Sequence, residues 1–132
     1  MKWAVLPLAL WLLVAQLHLW QANTLAGLAD KLTAAEPVTA LLMLERAKMM
    51  GQHGTENAQG VALLRMGKSK EAIDYLHAAM DERPTPEVLT NLGVAYLQHG
   101  DRESAGVLLE MATLYDGRSE RTRTARNLLR AN

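Results

Sequence analysis

Residues 91–117 read NLGVAYLQHGDRESAGVLLEMATLYDG, and residues 57–84 read NAQGVALLRMGKSKEAIDYLHAAMDERP. Set against each other at an offset of 33, they place Gly60, Val61, Ala62, Leu64, Gly67, Ala72, Leu76 and Ala79 on Gly93, Val94, Ala95, Leu97, Gly100, Ala105, Leu109 and Ala112. Identities in one register mark an internal repeat, in which one supersecondary unit recurs and buries its apolar face against its neighbours. Gly67 and Gly100 follow apolar helical runs as C-terminal stops. Asp101 is placed to cap the helix that follows, and Pro84 with Pro86 ends the first unit. Each unit therefore reads as a helix, a short turn and an antiparallel helix. The small residues repeat for a packing reason: Gly60 and Gly93 let the partner helix approach, and Ala72, Ala79, Ala105 and Ala112 offer it flat faces. Leu63, Leu76, Tyr96 and Leu109 fill the seam.

These positions resemble the tetratricopeptide repeat. The second unit carries that family's Leu-Gly-x-x-Tyr as Leu92, Gly93 and Tyr96, the inter-helix Gly100, and the later small positions Ala105 and Ala112, with Gly117 where proline is usual. The first keeps Gly60, Ala72, Leu76, Ala79 and Pro84, but has Gln59 for the usual leucine and Leu63 for the usual tyrosine. The resemblance covers about residues 37–131 and implies an all-α chain of antiparallel helix hairpins, a short solenoid preceded by one apolar N-terminal helix.

Upstream, TALLMLERAKMM (39–50) places Ala40, Leu44 and Ala47 as a second repeat helix would, one residue out of register. TLAGLADKLTAAE (24–36) precedes it, with Leu25, Leu28 and Leu32 on one face and Pro37 opening the next helix. The expected division is a membrane anchor or signal segment over 1–22 and a repeat domain over 23–132. The latter comprises a degenerate leading hairpin (23–52), repeats at 53–85 and 86–117, and a capping helix (118–131). The capping segment holds Arg118, Arg121, Arg123, Arg126 and Arg130 against Glu120 alone over residues 118–130, a local charge of +4.

The N-terminal stretch WAVLPLALWLLVAQLHLW, residues 3–20, has no formal charge and would reach roughly 27 Å as a helix, near the thickness of a hydrocarbon core. Trp3 and Trp20 stand at its ends as interfacial anchors do. Lys2 before it and the mixed Asp30, Lys31 and Glu36 after it place the repeat domain on the non-cytoplasmic side. A cleaved secretory signal is the alternative, with small residues at Thr24 and Ala26 or at Gly27 and Ala29 as the cutting positions.

The chain has 132 residues, 14 basic and 14 acidic side chains and no cysteine. That balance excludes a disulfide scaffold, a thiolate metal site and a cysteine nucleophile, and it argues against a nucleic-acid partner. His18, His53, His77 and His99 lack the i, i+4 spacing of a helical zinc site, and no phosphate loop or nucleophile elbow is present. Neither enzymatic activity, a metal nor a cofactor is expected.

The family resemblance implies that the first helix of each hairpin lines a concave groove. The residues it assigns there are Asn57, Ala58, Val61, Leu64 and Arg65, then Thr90, Asn91, Val94, Leu97 and Gln98, and, one register further, Arg123, Asn127 and Arg130. An apolar floor with a cationic end suits a protein segment bearing carboxylates, acidic or C-terminal. Of the Asn- and Lys-rich clamp that some members use for a terminal carboxylate, only Asn91 has a counterpart. The arginines read more readily as a solvated cap than as a partner contact. The expected function is a non-enzymatic adaptor or accessory subunit of a membrane-associated complex. Its alternatives are a soluble exported chaperone-like assembly factor and a small structural subunit of a membrane enzyme held by its anchor helix.

Overall fold

Proline and glycine divide the chain. Pro37 and Pro86 sit in the first turns of their helices, where a missing N–H costs nothing and the fixed φ suits the helix. Gly67 and Gly100 close the preceding helices at φ 74° and 95°, a left-handed conformation that side chains with a Cβ resist. The computed structural model describes residues 5–131, all helical or connecting, with seven helices and no strand among the described residues. They are α1 (Val5–Leu32), α2 (Pro37–Met49), α3 (Glu56–Arg65), α4 (Ser69–Glu82), α5 (Pro86–His99), α6 (Arg102–Tyr115) and α7 (Glu120–Ala131).

Connections as short as residues 66–68 and 100–101 force each helix back along the one before it, and every helix packs on its sequence neighbour. In addition α3 lies against α5, and α5 against α7. The caps are local. Thr85 Oγ1 accepts the Val88 N–H at 3.2 Å, while Asp101 accepts the Ser104 N–H at 3.0 Å and the Ser104 hydroxyl at 2.7 Å.

One core joins Leu63, Leu64, Ala72, Leu76, Leu92 and Ala95; a second joins Ala29, Ala40 and Leu44 where α1 meets α2. Gly60 and Gly93 are where the hairpins close. A Cβ built on Gly60 would stand 2.5 Å from Leu76 Cγ, and one on Gly93 would stand 2.8 Å from Leu109 Cγ. The repeated glycines thus make room for the repeated leucines. Gln59 is buried at the position Leu92 occupies in the next hairpin, and its amide oxygen accepts the Thr55 hydroxyl at 3.2 Å, so the polar replacement is satisfied. Tyr96 uses its hydroxyl to bridge helices, 2.8 Å from His77 Nε2.

α1 differs from expectation in its length. The helix runs unbroken from Val5 to Leu32 across the 22/23 boundary, because residues 18–26 contain neither proline nor any glycine to interrupt it. Ala22 is fully buried; from Leu10 through Gln21 every residue is exposed. The bundle begins at Ala22.

Candidate functional site

A hollow of ≈ 190 Å³ lies among three helices and a turn. The turn after α1 supplies Thr33 and Ala34, α3 supplies Asn57, Ala58, Val61 and Arg65, α5 supplies Glu87 and α7 supplies Arg121. On the same side a shallower depression of ≈ 520 Å³ joins Val94 of α5 to Glu120, Arg121, Thr124, Ala125 and Leu128 of α7. Arg121 borders both.

The floor is a polar chain. Asn91 Nδ2 donates to Asn57 Oδ1 at 2.8 Å, and Asn57 Nδ2 donates to Glu87 Oε1 at 3.3 Å. Asn91 is fully buried, and its Oδ1 has no partner among the described residues. The network holds Asn57 in one orientation and leaves one carboxylate oxygen of Glu87 outside it. Beneath it, Thr90 donates its hydroxyl to the Pro86 carbonyl at 2.8 Å, so the Thr122 hydroxyl donates to Thr90, also at 2.8 Å. This buried bond ties α7 to α5. Among the described residues, ion pairs join Lys48 to Glu56 and Lys68 to Glu71; Arg65 and Arg121 share the hollow with Glu87 but form no ion pair with it.

The structure redistributes the residues assigned from sequence. Asn57, Val61 and Arg65 come together in the hollow, and Val94 lines its neighbour. Leu64, 8 % exposed, is core rather than floor, because the face of α3 that carries it is covered by α4 and α5. Asn91 and Thr90 are likewise buried, acting through Asn57 and Thr122 and not on the surface. Leu97 is half-buried and Gln98 exposed, and neither borders these hollows. Arg123, Asn127 and Arg130 are exposed on α7, away from the hollow, to which α7 contributes Arg121 instead. Residue register fixes which side of each helix turns inward but not how far successive helices slide, so the first turns of α5 and α7 cross the hollow and bring Glu87 and Arg121 to it. Pro86, which starts α5, was the sequence signal for Glu87; nothing local distinguished Arg121 from its four arginine neighbours.

At the far end of the molecule, the side chains of α1 from Leu10 to Trp20 are exposed on every side of the helix, the large apolar ones between 45 and 66 %. Trp3 and Ala4, the start of the apolar stretch, lie outside the described residues. Among the described residues no helix is long and apolar enough to cross a membrane. Between α1 and α2 runs a groove of ≈ 580 Å³ lined by Trp20, Gln21, Thr24, Leu25, Thr39, Leu42, Met43, Arg46 and Met50.

One ion pair lies beside the site, next to Asn57 in the chain. Lys48 Nζ lies 2.9 Å from Glu56 Oε1 and ties the end of α2 to the start of α3. Burial pushes the Glu56 carboxyl up, but the hydrogen bond from Lys48, the backbone hydrogen bond and the ammonium charge outweigh it and hold it below its ordinary value. The same hydrogen bond raises Lys48.

The chain matches no protein-family model. No curated protein matches it significantly either.

Proposed function

We propose that this chain is a non-enzymatic interaction protein. Its helices form a short tetratricopeptide-like solenoid, and the hollow between α3, α5 and α7 holds a carboxylate-bearing segment of a partner protein. One observation carries this reading: Arg65 and Arg121 line the hollow with an apolar residue, Val61, and a fixed amide, Asn57, and neither forms an ion pair among the described residues, the one carboxylate there, Glu87, being engaged by Asn57. Two guanidinium groups beside the apolar Ala58 and Val61, over a floor of fixed amides, suit an extended segment whose carboxylate makes charge-assisted hydrogen bonds. The 33-residue repeat and the glycine–leucine contacts at Gly60 and Gly93 support the family resemblance. We further propose that the apolar stretch 3–20 anchors the protein in a membrane with the repeats on the non-cytoplasmic side, as an accessory subunit of a membrane-associated complex.

The test is mild crosslinking in membranes, gentle solubilisation, and mass spectrometry of companions and of the protein's own N-terminus. Reversing Arg65 and Arg121 to Glu should lower recovery of a stoichiometric companion about tenfold or more, at about 1.5–3 kcal/mol for each charged hydrogen bond. Far-UV circular dichroism should not change. Reversing Arg123 and Arg130 should leave capture intact; the opposite ranking of the two double variants would move the site to the other face of α7.

A second reading, a structural subunit held by its helix, is favoured by the absence of any partner within the described chain for the side chains of α1 from Leu10 to Trp20. Exchanging that segment for an unrelated apolar helix separates the two: the adaptor keeps its companion and the subunit loses it.

A further inference from the structure

α2 returns toward the N-terminal end of the molecule. From Trp20 to Leu32 along α1, and from Pro37 to Met49 along α2, the rise is about 18 Å each way, so the last turn of α2 arrives level with Trp20. Their shared groove confirms the match, since Trp20 and Leu25 face Met43, Arg46 and Met50 across it. Trp20 is also the last residue of the apolar run that anchors the chain in the reading above.

The last turn of α2 combines the cations Arg46 and Lys48 with Met49, which is 82 % exposed; Leu42, about two turns earlier, is 62 % exposed, and the groove beside the helix is lined mostly by carbon. Arg46 stands over that groove with no ion pair among the described residues, and Lys48, though paired with Glu56, keeps half its side chain in solvent. Glu45 is exposed on the same helix but does not line the groove. Methionines beside an unpaired arginine, level with an interfacial tryptophan, are the components of a surface that buries apolar side chains at the acyl boundary and aims cations at phosphate.

We infer that the last turn of α2 with its capping residue, Arg46 to Met50, is a second membrane contact, seated on an anionic bilayer surface beside the α1 anchor. Met49 and Met50 enter the interface, and Arg46 binds lipid phosphate across the groove from Trp20. The contact fixes the tilt of the repeat domain, so that the hollow is held at a set height above the membrane. This inference rests on the proposal that α1 is anchored in a bilayer, and its test reports on the two separately.

The chain has no cysteine, so single cysteines can carry an environment-sensitive nitrobenzoxadiazole probe in the full-length protein. The variants are Met49→Cys on α2, Leu13→Cys on α1 and, at the opposite end of the hairpins, Lys68→Cys. Each is reconstituted into vesicles of phosphatidylcholine with or without phosphatidylglycerol, and quenching by brominated lipids is measured. Expected are lipid quenching at residues 13 and 49 in phosphatidylglycerol vesicles and none at 68. Adding Arg46→Ala should lower the docking equilibrium at residue 49 about fivefold, the equivalent of about 1 kcal/mol for one cation at a membrane surface, and Arg46→Lys should restore it. Quenching at 13 with residue 49 in water would overturn the inference and leave the anchor standing. Equal quenching at 49 with and without phosphatidylglycerol would also overturn it, and water exposure at both 13 and 49 would remove the anchor reading itself.

Discussion

Leu109 occupies the space that Gly93 leaves open. A methyl group at residue 93 would meet Leu109 Cγ at 2.8 Å and Cδ2 at 2.9 Å, inside van der Waals contact, with the Ala105 carbonyl at 3.5 Å behind. Alanine is the better helix former by about 1 kcal/mol, but overpacking costs about 1–3 kcal/mol, and here the clash is with the stem of a fully buried side chain. Gly93→Ala should therefore lower the thermal midpoint, and Gly93→Ala combined with Leu109→Ala should recover part of the helix-former gain while opening a cavity. Calorimetry of both variants checks the sign. The Lys48–Glu56 pair makes a pH prediction. Glu56 lies below its ordinary 4.5, so its contribution to stability is complete above that value and is lost as pH falls through the lowered one. Lys48 lies above its ordinary 10.5, so its contribution holds through neutral pH and is lost as pH rises through the raised one. Glu56→Gln should cost about 1 kcal/mol at pH 7, and the gap from the parent protein should shrink in acid; denaturant titrations at pH 7 and pH 3 measure it.

Helix ends here are specified by short-range chemistry, and helix faces by what lies beside them. Asp101 holds the start of α6 through the Ser104 backbone and hydroxyl, and those hydrogen bonds keep its carboxyl below the usual range. Asp101→Ala should fray the first turn of α6, seen as faster amide exchange at Glu103 and Ser104, with the rest of the helix protected. α7 is the most polar helix, and it is seated by Ala125 and by the Thr122 hydroxyl donating to Thr90. Thr122→Val removes that donor while keeping the shape, and leaves the Thr90 hydroxyl bonded to Pro86. The expected cost is about 1 kcal/mol, read as local exchange in α7 before any global unfolding. If α7 loosens, Arg121 leaves the hollow, so this variant should weaken partner capture without touching an arginine.

At the scale of the whole molecule, each helix packs on its sequence neighbour, and α3, α5 and α7 line up because first helices of successive hairpins meet. Much of this was legible beforehand. The 33-residue spacing of Gly60 and Gly93, of Leu76 and Leu109, and the stops at Gly67 and Gly100 describe hairpins, since backbone sterics and capping act within a few residues of chain. Pro37 and Pro86 fall where helices begin for the same reason. The proposed binding surface was less legible. Leu64 and Asn91 are on the helices and near the faces expected, but burial depends on how closely a neighbouring helix approaches, and both are covered. Arg121 rather than Arg123 reaches the hollow because the packing of Thr122 on Thr90, two residues joined across a sequence separation of 32, sets which face of α7 turns toward α5. The continuity of α1 through residue 22 belongs with the local properties, for only local breakers could have ended it. The sequence by itself determined the helices, their ends and the order in which they fold back, all consequences of interactions between residues a few positions apart. The tertiary structure alone decided which polar groups became a buried network and which cations were left facing a hollow. It also brought the tip of α2 level with Trp20, because these depend on how helices slide and approach, and no local pattern encodes that.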